Sequence, residues 1–297
     1  MKCFFFCAAL VWFALEAIPG AHAQRLAPIV VVPADEMSRD PSLRQTPVAP
    51  QPTPHLQPEA RDYASVPPQS APGRPVLPAK LSYNSCTVEG PYIAMTFDDG
   101  PNPQLTPKLL DMLKERGLKA TFFVVGKNVE EFPEIVRRMS EEGHEVANHS
   151  WSHVALTKIG GESFRKQIEN TNDSIARVTG KRPILMRPPY GATSALLNRR
   201  LTEQFGMKVI LWSVDPLDWK YRNANRVYNH IVQNTHPGSI ILTHDIHATT
   251  VAAMPATFDS LLAKGYKFVT VSELIAMEVG PQLVKKEASL PPVPAAP

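Results

Sequence analysis

Two carboxylates stand side by side at Asp98 and Asp99, and two histidines stand four residues apart at His149 and His153. Adjacent carboxylates repel one another unless something positive offsets them, and a metal ion is the least costly compensator. The competing reading of Asp98-Asp99-Gly100-Pro101 is a plain turn, since all of these residue types form turns. Histidines at i and i+4 fall on one face of a single helical turn, where both rings can meet one ion. Either histidine alone reads as a surface or capped residue. With Asp99 they make a two-histidine, one-carboxylate set whose remaining coordination positions stay open to substrate and water. Catalytic metal sites need that opening.

Three further segments carry groups suited to chemistry around such an ion. In Arg187-Pro188-Pro189-Tyr190-Gly191 the prolines stiffen the backbone and aim a guanidinium, which can hold a carboxylate through two parallel hydrogen bonds. The alternative is a stiff loop with its arginine in solvent. Asp215-Pro-Leu-Asp218-Trp219 sets a carboxylate beside an aromatic wall suited to carbohydrate or to an acyl methyl group, although Trp219 reads equally well as core. Ile240-Ile241-Leu242-Thr243-His244-Asp245 is an apolar run that delivers a histidine at its end, either as a catalytic group or as a satisfied structural one.

Each group sits where a strand-like run ends. Tyr92-Ile-Ala-Met-Thr-Phe97 reads as a buried strand, and residues 121–125, 145–147, 184–186, 208–212, 239–243 and 268–271 also read as strands. Helical patterns separate them. One runs from Pro103 with Leu105, Leu109, Leu110 and Leu113 on one face and stops at Gly117, and another runs from Pro133 to Gly143. Others cover 162–178, 193–205, 223–234 and 251–264. This alternation predicts an α/β fold with a parallel sheet, open or closed into a barrel. Such folds gather their chemistry in loops at the C-terminal ends of strands, which is where all five segments fall.

The rest of the 297-residue chain differs in character. A net charge of +3, from 31 basic and 28 acidic residues, is too small and too evenly spread to make nucleic acid or a membrane surface the main partner. Lys2, the apolar run Cys3 to Leu15 and the small residues of Ala21-His22-Ala23 predict an export signal over residues 1–23. That run is short for a bilayer, which needs about 20 apolar residues, so a retained anchor is the lesser alternative. Cys3 and Cys7 belong to the signal, leaving Cys86 as a lone thiol, expected to be half-buried or at the surface. Residues 24–80 carry 13 prolines and one aromatic residue, Tyr63, a composition that cannot offset its own ordering entropy. We therefore expect a Pro-rich disordered linker over 24–85, a globular domain over 86–278 and a disordered tail over 279–297. The mature chain is expected to have no stable membrane span and to work outside the cytoplasm, in the periplasm, cell envelope or medium.

In order, Thr96-Phe-Asp-Asp-Gly100, His149-Ser-x-x-His153, Arg187-Pro-Pro-Tyr190, Asp215-x-x-Asp218-Trp219 and Leu242-x-His244 resemble the five motifs of the polysaccharide deacetylases with a NodB homology domain, carbohydrate esterase family 4. The resemblance covers residues 88–276, most of the expected globular region. It implies a distorted (β/α) barrel and a metal-dependent hydrolase acting on an N-acetylated polysaccharide. It implies further that Asp99, His149 and His153 hold a divalent metal, commonly Zn2+, with Co2+, Ni2+ or Mn2+ accepted. Asp98 would then be the general base, held in place by Arg187, and His244 the acid that protonates the departing amine, with Asp218 orienting it. The backbone N–H of Tyr190 would face the oxyanion, and Trp219 and Leu242 would line the pocket for the acetyl methyl group. N-deacetylation of N-acetylglucosamine units in peptidoglycan, chitin or an exopolysaccharide is the leading expectation. O-deacetylation, as on acetylxylan, uses the same acetyl-handling residues. A non-catalytic glycan-binding module has no use for a base and an acid together.

Overall fold

A computed structural model describes residues 80–279; the expected signal, residues 24–79 of the expected linker and the tail from residue 280 lie outside the described residues. A parallel strand covered on both faces reads as an unbroken apolar run, and Tyr92–Asp98 (β2) is buried from its second residue onward. The other strands are Ser82–Tyr83 (β1), Thr121–Val124 (β3), Glu145–Asn148 (β4), Leu185–Met186 (β5), Lys208–Ile210 (β6), Ile240–His244 (β7) and Lys267–Phe268 (β8). Their order is β1-β6-β5-β4-β3-β2-β7, with β8 also paired to β2, and every pairing is parallel. Past β6 the chain continues to Val214, which bridges Ile241 in parallel, and the Leu242 N–H donates to the Val214 carbonyl at 2.9 Å. The sheet thus curls from β7 back toward β6, which makes it an irregular barrel.

Nine α-helices connect these strands among the described residues: Thr106–Glu115 (α1), Gly126–Glu131 (α2), Pro133–Glu141 (α3), Gly161–Thr179 (α4), Ala195–Phe205 (α5), Asp218–Tyr221 (α6), Ala224–Asn234 (α7), Ala248–Ala263 (α8) and Val271–Ala276 (α9). Helix α1 buries Leu109, Leu110 and Leu113 against Ile93, Met95 and Phe97 of β2. Each such side chain contributes on the order of 1.5–3 kcal/mol when fully buried. Residues alternate across a strand, so Ala94, Thr96 and Asp98 share the opposite face of β2. There Ala94 packs with Phe123, Ala147, Leu185, Ile210 and Ile240, and this second cluster fills the barrel beneath the site.

Several boundaries depart from the sequence reading. The sheet begins at β1, within the segment expected as linker, and Tyr83 is buried there. β6 stops at Ile210, short of the expected residue 212. Of residues 268–271, expected as a strand, only Phe268 lies in β8; the chain then turns into α9 at Val271, where Thr270 and Glu273 form a reciprocal capping box. Cys86 is buried, and burial followed by the charge of Glu278 pushes its thiol up to about 11.

Candidate active site

Asp98 is the last residue of β2, and in the parallel register it lies directly beside His244, the last residue of β7. Neighbouring strands lie about 4.8 Å apart, so this register sets a carboxylate and an imidazole side by side on one face. On the other side of β2, His149 follows β4 and Arg187 follows β5, whose paired residues Asn148 and Met186 immediately precede them. The sheet alone therefore brings four segments to one rim.

The Arg187 guanidinium is fully buried, which overturns the reading of a solvent-facing arginine. Its Nη1 donates to Asp98 Oδ1 at 2.6 Å and to Thr96 Oγ1 at 2.7 Å, and its Nη2 donates to the Leu211 carbonyl at 3.0 Å. One nitrogen, not two, serves the carboxylate, because the other donors go to Thr96 and to backbone carbonyls. The guanidinium also lies 4.1 Å from the Phe123 ring centroid. Burial pulls the Arg187 pKa down while Asp98 opposes the fall. A buried cation of this kind persists only beside a partner that offsets its charge, so the pairing holds the Asp98 carboxyl group in a fixed orientation.

The two histidines meet, but not on a helical turn. Residues 149–153 form an irregular loop with Ser150 and His153 at positive φ, 66° and 54°. The Ser150 N–H donates to Asn148 Oδ1 at 2.7 Å, and the first amides of α2, Gly126 and Lys127, donate to the carbonyls of Ser150 and Trp151 at 3.0 Å. Gly126 allows that approach, since a Cβ there would sit 2.5 Å from the Trp151 ring. His149 Nδ1 lies 2.7 Å from the Arg187 carbonyl, an acceptor only, so Nδ1 carries the proton and Nε2 presents its lone pair to the rim. Asp99, at φ 74°, turns its Oδ1 to within 3.3 Å of His149 Nε2 and 3.1 Å of His153 Nε2.

One ligand atom from each of Asp99, His149 and His153 lies within 4.8 Å of the others, and Asp99 Oδ1 is buried without a hydrogen-bond partner. An orphaned buried carboxylate oxygen facing two imidazole lone pairs fits a divalent cation. Burial opposes ionisation of Asp99, yet the neighbouring His149, His153 and His244 hold its carboxyl down at about 2. Burial keeps His153 below the ordinary imidazole range against the pull of Asp99, leaving its ring neutral and able to ligate near pH 7.

His244 is tied to a different partner. Asp218, fully buried at the start of α6, places Oδ1 2.8 Å from His244 Nδ1, and its Oδ2 accepts from the His244 N–H at 2.9 Å and from Thr250 Oγ1 at 2.7 Å. Burial disfavours the charged imidazole, but Asp218, with smaller help from Asp98 and Asp99, pushes His244 up to about 9. The same interactions hold the Asp218 carboxyl below its usual range despite its burial.

A cavity of about 440 Å³ opens over these groups, lined by Asp98, Asp99, His149, His153, Tyr190, Trp219, Leu242 and His244 among others. Arg187 and Asp218 stand behind it, each touching a lining residue. Tyr190 sits at φ 64° with its hydroxyl donating to the His153 carbonyl at 3.2 Å, and Trp219 is half exposed at the rim rather than in the core. Trp212 and Pro188 also line the cavity without having been singled out as site residues, as does Asp215 of the fourth motif. Asp245 is a further residue the sequence reading passed over. It is fully buried, pushed up to about 7 by that burial, bonded to Thr106 Oγ1 and packed under Gly100, where a Cβ would lie 2.3 Å from its carboxylate. Its position after His244 was visible, but nothing in the local pattern separates a buried carboxyl from an exposed one.

A family model described as polysaccharide deacetylase matches residues 86–210. The chain is 45% identical over 199 residues to the peptidoglycan-N-acetylglucosamine deacetylase PgdA of Listeria monocytogenes, covering 66% of this chain and 42% of that one. A peptidoglycan-N-acetylglucosamine deacetylase of Bacillus cereus is 37% identical over 188 residues, covering 62% of this chain and 87% of that one. The solved structure of the peptidoglycan deacetylase PdaC of Bacillus subtilis matches with a TM-score of 0.59 and 42% identity, over 69% of this chain and 94% of that one. The chain spans about two fifths of the length of the first curated relatives it matches. With this agreement of sequence, fold and rim geometry, the chain belongs to the polysaccharide deacetylase family, carbohydrate esterase family 4.

Proposed function

We propose that the chain is a metal-dependent hydrolase that removes N-acetyl groups from N-acetylglucosamine units of a cell-wall glycan. The observation that carries the reading is the pairing of Asp98 and His244 on adjacent strands beside the Asp99, His149 and His153 cluster. Those three residues would hold the cation, which we assign as Zn2+ on the nitrogen-rich donor set. When bound, it supplies Lewis acidity that polarises the acetyl carbonyl and makes water acidic enough to lose a proton near neutral pH.

The chain's own groups supply the proton transfers. Arg187 occupies Asp98 Oδ1, so Oδ2 is the atom that accepts the proton from the attacking water. As the C–O bond forms, the backbone N–H of Tyr190 donates to the developing oxyanion. Breaking the C–N bond requires a proton on the amine, delivered from His244 Nε2 while Asp218 holds Nδ1–H. A His244 pKa of about 9 keeps that proton in place at neutral pH, which suits a poor leaving group such as an amine. Acetate and a free amino sugar result. Trp219 and Leu242 shape the wall for the methyl group.

The relatives are named for peptidoglycan, and the predicted export signal at residues 1–23 would carry this chain out of the cytoplasm, to the periplasm, envelope or medium. Among the described residues, no helix is long and apolar enough to cross a membrane. Acetate release by zinc-loaded protein from N-acetylglucosamine oligomers and from acetylated xylan tests the assignment. We expect release from the former and little from the latter. Release only from xylan would replace the amide reading with an ester one.

A further inference from the structure

We propose that the shoulder formed by α6 and α7 binds carboxylate groups carried by the sugars that flank the one being deacetylated. This rests on the deacetylase reading and adds to it the surface that would meet the sugars on either side of the cleaved acetamide. The 26 residues from Trp219 to His244 contain no aspartate or glutamate, yet they contain Lys220, Arg222 and Arg226, all exposed. Among the described residues none of these three cations lies within 4.0 Å of a carboxylate. Elsewhere on the surface Arg116, Arg138, Arg177 and Arg182 each have an acidic partner.

The shoulder adjoins the cavity. Trp219, which lines it, is followed directly by Lys220, and Arg222 Nη1 reaches the Asp218 carbonyl at 3.4 Å. The charge of Arg222 is felt, after burial, by His247, whose ring centroid is 5.6 Å from that of His244. Arg226 stacks its guanidinium 3.8 Å from the Tyr221 ring centroid, and Lys220 Nζ lies 5.2 Å from the same centroid. A stacked guanidinium is held flat with its N–H edge free, the geometry that receives a carboxylate. Arg226 continues into a surface groove of about 450 Å³ on α7 with Asn229, His230 and Gln233, and His230 is close enough to act on Asp215 of the cavity wall.

A homopolymer of N-acetylglucosamine offers this surface no anion. A wall glycan whose alternate sugars carry a lactyl ether or its peptide presents a carboxylate beside every acetamido group to be cleaved. Each exposed contact is expected to contribute a factor of roughly 1.5 to 5, weakened as salt screens it beyond about 10 Å at 0.1 M.

The test compares the zinc-loaded full chain with its Arg222→Gln/Arg226→Gln variant on soluble wall-glycan strands, one sample with free carboxylates and one with those carboxylates converted to methyl amides. We expect kcat/KM to favour the free-carboxylate strands by about tenfold at low salt, to lose that preference as salt rises, and to lose it in the variant at an unchanged melting temperature. Parent protein that treats both strands alike, or a variant that keeps the full preference, overturns the proposal. Should no acetate appear from any strand, the deacetylase reading fails instead. The shoulder is then judged by equilibrium binding of the same two strands, where the same tenfold ratio is expected and its absence rejects the shoulder.

Discussion

His244 and Asp98 are separated in the chain but share one register of a parallel pair, and their partners divide their roles. Asp218 raises the imidazole and Arg187 anchors the carboxylate. In the proposed mechanism His244 acts in its protonated form, so activity should fall as pH rises through its pKa of about 9, or somewhat lower once a cation offsets the help from Asp98 and Asp99. Asp218→Asn removes the main raising influence and leaves burial, which lowers the pKa. The alkaline limb of kcat should then move roughly one to three pH units down, and an unmoved limb would assign the proton to another group. His244→Ala should lose about 10² to 10⁴ in kcat with metal content intact, the usual worth of a general acid. His149→Ala should lose the metal itself, read by elemental analysis. Asp98, Arg187 and His244 were legible in the sequence because each ends an apolar run, and His149 and Asp218 because each is spaced within a short motif. Their local conformations were not: the positive φ of Asp99, Ser150 and His153 is imposed by tertiary hydrogen bonds, and a spacing of four residues looks the same on a helix and on an irregular loop.

At the scale of elements, the long helices and the central strands followed from periodicity, while α2, α6 and α9 did not. Helices of 6, 4 and 6 residues are too short to display a repeating apolar face. Two of these short pieces position the site. Helix α6 presents Asp218, and the first amides of α2 clamp the histidine loop. Gly126→Ala should therefore disturb the proposed metal site without touching a candidate ligand. Its added Cβ would meet the Trp151 ring at 2.5 Å and Thr171 Oγ1 at 2.6 Å, an overpacking that costs about 1–3 kcal/mol. We expect zinc affinity to drop by about tenfold or more in a competition titration, and parent-like affinity would show that the clamp is not needed.

For the molecule as a whole, composition marked a globular region but placed its start near residue 86, because a two-residue edge strand leaves no pattern to read. Tyr83 in β1 is only 8% exposed and packs with the cluster that fills the barrel under the site. Tyr83→Ala in the full chain should cost about 2–3 kcal/mol, a fall of several degrees in melting temperature, with kcat on a soluble oligomer retained. An unchanged melting temperature would put the start of the cooperative unit after Tyr83. The assembled barrel matters for function because it makes five segments one surface. An anomalous-difference map from zinc-soaked crystals is the sharpest check of that convergence. A single strong peak is expected about 2.0–2.2 Å from the Asp99 carboxylate, His149 Nε2 and His153 Nε2, with Asp98 and His244 near it but not ligating. A peak held by Asp98 or His244, or no peak at this rim, would rule the convergence out.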